Sequence, residues 1–173
     1  ALLSEFKASI AGGKISKIVQ SEKDEIQLTI RKEKQQFFLH LSANPSIPLV
    51  YLSEQGKTAP LTAPNFCMAL RKHIGNGLIQ DITQASRNLT EQGLERVLLL
   101  HRDELGDIGI KYLSIEIMGK YSNIILLKED FTILDAIKRI SSVQSSVREV
   151  LPGRKYFIPD QFKKENLLCF PLE

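Results

Sequence analysis

Apolar positions alternate with polar ones through most of the chain and fall at helical spacing in only two places. The first is Leu2, Leu3, Phe6 and Ile10, closed by Gly12-Gly13, which predicts a short N-terminal helix. The second is Phe66, Leu70 and Ile74, joined by Cys67, an i, i+4, i+8 stripe opened by Pro64 and closed by Gly75. Strand patterns occupy Lys14 to Gln20, Ile26 to Ile30, Phe37 to Leu41 and Leu49 to Leu52. They resume at Leu78 to Gln84, Glu95 to His101, Ile110 to Met118, Asn123 to Leu127 and Thr132 to Lys138. Ile26, Leu28 and Ile30 alternate with Gln27 and Thr29, which predicts a strand buried on one face only. Ser21 to Asp24 and Arg31 to Lys34 read as turns, and Asn44 to Pro48, with two prolines, as a loop. Short strands at regular spacing with few helices predict a β-sandwich or barrel. From Ser141 onward the pattern is irregular, broken at Pro152-Gly153 and Pro159.

With 173 residues, 43% of them apolar, the chain has the material for one well-packed domain. The charge balance, 23 − 20 = +3, is mildly basic and permits an anionic partner without requiring one. Cys67 and Cys169 are far apart and lie in no metal-ligand spacing, so a buried reduced thiol is expected at Cys67. No apolar run of about 18 residues and no secretory signal occurs, so neither membrane insertion nor export by a signal peptide is expected.

Catalytic chemistry finds little support. His40, His73 and His101 fall in no metal spacing. His101-Arg102-Asp103 lacks the downstream Asn of a kinase catalytic loop, Ile108 standing in its place. Asp103, Glu104 and Asp107 read as a solvated acidic turn. Basic residues gather at Arg31-Lys32-Lys34, Arg71-Lys72, Lys138-Arg139, Arg148, Arg154-Lys155 and Lys163-Lys164, with Phe37, Tyr121 and Tyr156 near some of them. Such groups bind phosphates and stack on bases, and they also make up the ordinary surface of a soluble domain. The Arg71-Lys72-His73 triplet equally suits the negative end of a helix dipole.

The segment Glu116-Ile117-Met118-Gly119-Lys120-Tyr121-Ser122-Asn123 interrupts a strand with one Gly between a carboxylate and a cation. Read alone it is a hairpin with a polar tip or a point of close approach. Taken in order with Ala63-Pro64-Asn65-Phe66-Cys67-Met68-Ala69-Leu70-Arg71-Lys72-His73-Ile74 and Ser146-Val147-Arg148-Glu149-Val150-Leu151-Pro152-Gly153, it resembles the N-terminal domain of the NFACT family. That family includes proteins called fibronectin-binding proteins and a bacterial ribosome-quality-control factor that adds alanine tails to stalled chains.

The resemblance implies an α+β, β-rich fold, a two-layer β-sandwich flanked by helices, similar to the N-terminal domain of formamidopyrimidine-DNA glycosylases. Glycosylase activity is not implied, because Ala1-Leu2-Leu3 replaces the Pro-Glu start that chemistry needs. Residues 1–155 would form the domain, and 156–173 an extension toward helix-hairpin-helix, coiled-coil and C-terminal modules of a longer protein. The implied function is non-catalytic, without cofactor or metal: binding tRNA at the large ribosomal subunit in the cytoplasm and supporting C-terminal tailing. The implied RNA-binding residues are Glu95-Arg96, where relatives carry Asp-Arg, then Glu116, Met118, Gly119 and Lys120, where many relatives carry Arg, with Arg71 and Lys72 alongside. The family's other label implies a different class of protein, a surface adhesin for fibronectin that leaves the cell without a signal peptide.

Overall fold

The computed structural model describes residues 8–46, 49–85, 95–102, 109–116, 119–145 and 148–157; residues 81–85 and 95–102 are described through their backbone pairing. Among the described residues, nine strands form one antiparallel sheet in the order β4-β3-β2-β1-β5-β6-β7-β8-β9. They are β1 (Lys14–Glu22), β2 (Glu25–Lys32), β3 (Gln35–Ser42), β4 (Leu49–Ser53), β5 (Leu78–Ala85), β6 (Glu95–Arg102), β7 (Gly109–Glu116), β8 (Asn123–Leu127) and β9 (Ile133–Ala136). The helix α1 (Asn65–Ile74) separates β4 from β5. Residues 8–10 are also helical; the rest of the expected N-terminal helix lies outside the described residues.

The β-rich fold with few helices is the one the pattern predicts, but its two layers are halves of a single curled sheet. β1 to β4 make one half and β5 to β9 the other, joined by one strand pair, Lys14 with Leu78. Curling lets one core serve both halves: Ile15, Ile18, Leu28, Leu39 and Leu41 pack with Leu113, Ile115, Ile124 and Leu126. The α1 stripe of Phe66, Cys67, Leu70 and Ile74 fills the space between them. Lys138 Nζ donates to the Ala43 carbonyl (2.5 Å), tying the far edge of one half to the other.

Two local readings change. β2 is buried on both faces, Gln27 and Thr29 included. The cause is the segment after β4, which folds back over the polar face: the Lys57 amide donates to Gln27 Oε1 (2.7 Å) and Gly56 lies against the Phe38 ring. β1 runs to Glu22, which shortens the expected turn to Lys23-Asp24. The helix ends as predicted at Gly75, where a Cβ would come within 2.4 Å of the Arg71 carbonyl oxygen, closer than any side chain tolerates. The chain then leaves through Asn76 in the left-handed region.

The stretch 148–157 is irregular but firmly placed. Ile133 donates to the Arg154 carbonyl, Gly153 to Ile133 and Tyr156 to Phe131, so this stretch covers the open edge of β9. Val150 and Tyr156 complete a second apolar cluster with Ile125, Leu127 and Ile133. β8 is therefore buried on both faces, which explains its unbroken apolar run Ile124 to Leu127. Residues 158–173, with Cys169 and the Lys163-Lys164 pair, lie outside the described residues, as does the acidic segment Asp103 to Asp107.

Candidate nucleic-acid interface

β7 ends at Glu116, and after residues 117–118 a 3-10 turn, Gly119–Tyr121, leads into β8 at Asn123. Met118 lies outside the described residues. The turn exposes Lys120 and Tyr121, with Lys120 Nζ 5.1 Å from the centre of the Tyr121 ring. A cation and an aromatic face thus share one tip. Register brings a second expected segment to the same end of the sheet. Glu95 opens β6, and Arg96 pairs with Ile115, the residue before Glu116. Ile115 in turn pairs with Ile124, and Glu116 with Asn123.

Both sides of the turn are braced. On the entry side the Glu116 side chain is fully buried. One carboxylate oxygen accepts from Arg148 Nη2; the other accepts from the Tyr156 hydroxyl (2.5 Å). That bond uses the only proton of the Tyr156 hydroxyl, so Ser114 Oγ, 2.8 Å away, is the donor in their contact. Arg148 also donates from Nη1 to the Phe157 carbonyl (2.7 Å) and lies over the Tyr156 ring. Burial, and then the neighbouring Glu116 carboxylate, push the Tyr156 hydroxyl well above its ordinary pKa, so it stays a donor. Burial pulls the Arg148 pKa down, but Glu116 and Tyr156 outweigh it and the net shift is upward. On the exit side Asn123 acts as a clamp. Its Nδ2 donates to the Lys138 carbonyl (2.9 Å), while its Oδ1 accepts from the amides of Ile124 (2.9 Å) and Lys138 (3.1 Å).

Three expectations change here. Glu116 is sealed from solvent, so its carboxylate has no surface to offer RNA and serves to hold the strand end. Arg148 and Tyr156, expected among the basic and aromatic surface groups, are both buried, because β9 needs an edge cover and Glu116 a counter-charge. Ser114 and Asn123 escaped the sequence reading, and only their place beside the Gly119-Lys120 break hinted at a role.

Arg71 and Lys72 are exposed on the last turn of α1. Arg71 is anchored on β1, its Nε donating to the Ile18 carbonyl (3.0 Å). Among the described residues, no group of three or more His, Cys, Asp or Glu side chains is placed to hold a metal ion, and no helix is long and apolar enough to cross a membrane.

The sequence model for the NFACT N-terminal and middle domains matches residues 1–172. The chain belongs to the NFACT family. Among relatives of this NFACT chain, a protein of Bacillus subtilis (strain 168) named Rqc2 homolog RqcH is 40% identical over 159 residues. The match covers 90% of this chain and 27% of that relative. A protein of the same name from Streptococcus suis (strain 05ZYH33) is 37% identical over 95% of this chain and 29% of its own length. The NFACT fold also appears in the N-terminal part of the fibronectin/fibrinogen-binding protein of Streptococcus suis, with a TM-score of 0.81 and 36% identity, covering 91% of this chain and 58% of that one. The N-terminal domain of the fibronectin-binding protein PavA of Streptococcus pneumoniae gives 0.82 and 32%, covering 99% and 66%.

Proposed function

We propose that this is a non-catalytic RNA-binding domain of a cytoplasmic ribosome-quality-control factor. It binds tRNA at the large ribosomal subunit on stalled nascent chains and supports C-terminal tailing. The observation that carries this reading is the exposed Lys120–Tyr121 tip, rigidly braced and set by strand register beside Glu95-Arg96. Lysine supplies a point charge for phosphate, Arg96 a fork for bidentate contact, and the aromatic ring a stacking surface. A binding site that is held in place before its partner arrives loses less entropy on association. Glu116 and Asn123 position that tip, Gly119 opens its 3-10 turn, and Arg71 and Lys72 extend the basic surface from α1. The Rqc2-homolog name of the relatives supports placing the domain in this process.

The test is co-sedimentation of the full-length protein with large subunits carrying peptidyl-tRNA, wild type beside an Arg96→Ala/Lys120→Ala variant. Retention of the wild type and its loss in the variant is the expected result; equal retention removes the tip from the interface. The names of the two structural relatives favour a second reading, fibronectin binding at the cell surface. Absence of wild-type retention, with surface labelling of the protein on intact cells, would favour it.

A further inference from the structure

Residues 54–58 have no strand or helix of their own and form a strap over the polar face of β2 and β3. Beneath it, register aligns Gln27, His40 and Tyr51 in one row across β2, β3 and β4, and Thr29 with Phe38 in the next. Among the described residues no backbone–backbone hydrogen bond joins the strap to the sheet. It is held instead by the Lys57 amide on Gln27 Oε1 (2.7 Å), by Lys57 Nζ on Glu25 Oε1 (2.8 Å) and by Gly56 on the Phe38 ring. A segment attached in this way opens more readily than the ladder below it. His40 is 3% exposed, and neither its Nε2 nor Thr29 Oγ1 has a hydrogen-bond partner. The closed strap therefore keeps water from two polar atoms that the protein leaves unsatisfied, a cost that opening removes. Burial holds the His40 ring neutral and Lys57 adds to it, while the Gln55 backbone and Glu25 favour the charged form. Tyr51 stacks on the ring from β4, its centroid 4.5 Å away, and Glu22, at the end of β1, acts on Lys57.

We propose that the strap is a proton-operated latch, closed over neutral His40 and lifted when His40 takes up a proton. Protonation gives the ring a second N–H, and beneath the strap Nε2 has no acceptor for it. It also sets an imidazolium beside Lys57, the strap's own cation. Lifting the strap wets the ring and carries that lysine away, so both penalties are relieved by one movement. Glu22 and Glu25 belong to the sheet and stay in place; releasing Lys57 frees Glu25 to attract the imidazolium. The open form uncovers the Phe38 ring together with Gln27, Thr29 and His40. Opening grows as the pH falls below His40's ordinary 6.5, by up to about tenfold per pH unit, until the closed form is itself protonated.

Hydrogen exchange of the full-length protein, read by mass spectrometry and corrected for the intrinsic pH dependence of exchange, decides it. Between about pH 7 and about pH 5, protection of the Lys57 amide should fall by about tenfold, while the β2–β3 ladder keeps its own. His40→Phe keeps a ring against Tyr51 and should remove this pH response. Lys57→Ala changes a side chain that is 41% exposed and keeps the amide bond to Gln27. In that variant, exchange at the His40 ring carbon should titrate at higher pH than in the wild type. Equal protection of the Lys57 amide at both pH values overturns the latch. So does a loss shared equally by the β2–β3 ladder, which would mean that acid loosens the whole half-sheet. A pH response that survives in His40→Phe, or a His40 titration that Lys57→Ala leaves unmoved, overturns it as well.

Discussion

Arg148→Ala should damage this domain strongly while leaving its apolar core untouched. Glu116 is fully buried, and its only counter-charge among the described residues is Arg148, itself 5% exposed at the side chain. Removing one partner of a buried ion pair strands the other charge, at about 3–5 kcal/mol. A domain of this size has about 5–15 kcal/mol in total, so the variant should remain folded but marginal. With a urea m-value of about 2 kcal/mol/M, the midpoint should fall by about 1.5–2.5 M. Glu116→Gln added to Arg148→Ala removes the stranded charge and should recover about half of that loss. The pair therefore shows strong coupling in a double-mutant cycle. Equilibrium urea unfolding of the four proteins is the assay. A midpoint for Arg148→Ala within about 0.3 M of wild type, or additive losses in the double variant, would refute the assignment of Arg148 as the neutralising partner.

Three further outcomes follow from the geometry. Asn123→Ala removes three hydrogen bonds around the turn and should cost about 1–3 kcal/mol, with faster amide exchange at Ile124 and Lys138; unchanged exchange there would show that the clamp is idle. Gly75→Ala drives a Cβ into the Arg71 carbonyl and should lower thermal stability, whereas an unchanged melting temperature would mean that the α1 terminus relaxes freely. Burial lowers the His40 pKa below its usual 6.5, so the unfolded chain takes up a proton that the folded one resists. The stability this residue contributes is complete above about pH 6.5 and falls as the pH drops below it. His40→Phe keeps an aromatic ring on Tyr51 and should abolish that part of the acid loss, and an identical pH profile in the variant would contradict it.

The strands and the α1 helix are legible from period-2 alternation, from the short apolar run of β8 and from i, i+4 spacing, because those signals are local: Ile26-Leu28-Ile30 and Phe66-Leu70-Ile74 carry their direction in themselves. The burial of Gln27 and Thr29 was not legible, since it depends on a loop 30 residues downstream folding back. Arg148 illustrates the same limit for chemistry. A lone Arg beside Glu149 reads as surface charge, and only its pairing with the buried Glu116 shows why it turns inward. The Glu116 segment stood out as a break in a strand, but its neutralising partner lies 32 residues along the chain, beyond the reach of spacing arguments. The tip at Lys120 follows from turn chemistry, whereas the β1 bulge, where Ile15 pairs with Ile30 and Lys17 with Thr29, leaves almost no mark on composition.

The order in which the chain is synthesised gives the buried carboxylate a temporal meaning. Glu116 emerges 32 residues before its counter-charge Arg148 and 40 before Tyr156, a lag of roughly 2–8 s at ordinary elongation rates. During that interval β7 carries a charge without its counter-charge, and β9 lacks its edge cover. The growing domain can thus build the β1–β4 half early, but it locks the β7–β9 half only when the 148–157 stretch arrives. A pause in translation between those points would hold the protein in its least protected state, with an open sheet edge and an unsealed second cluster.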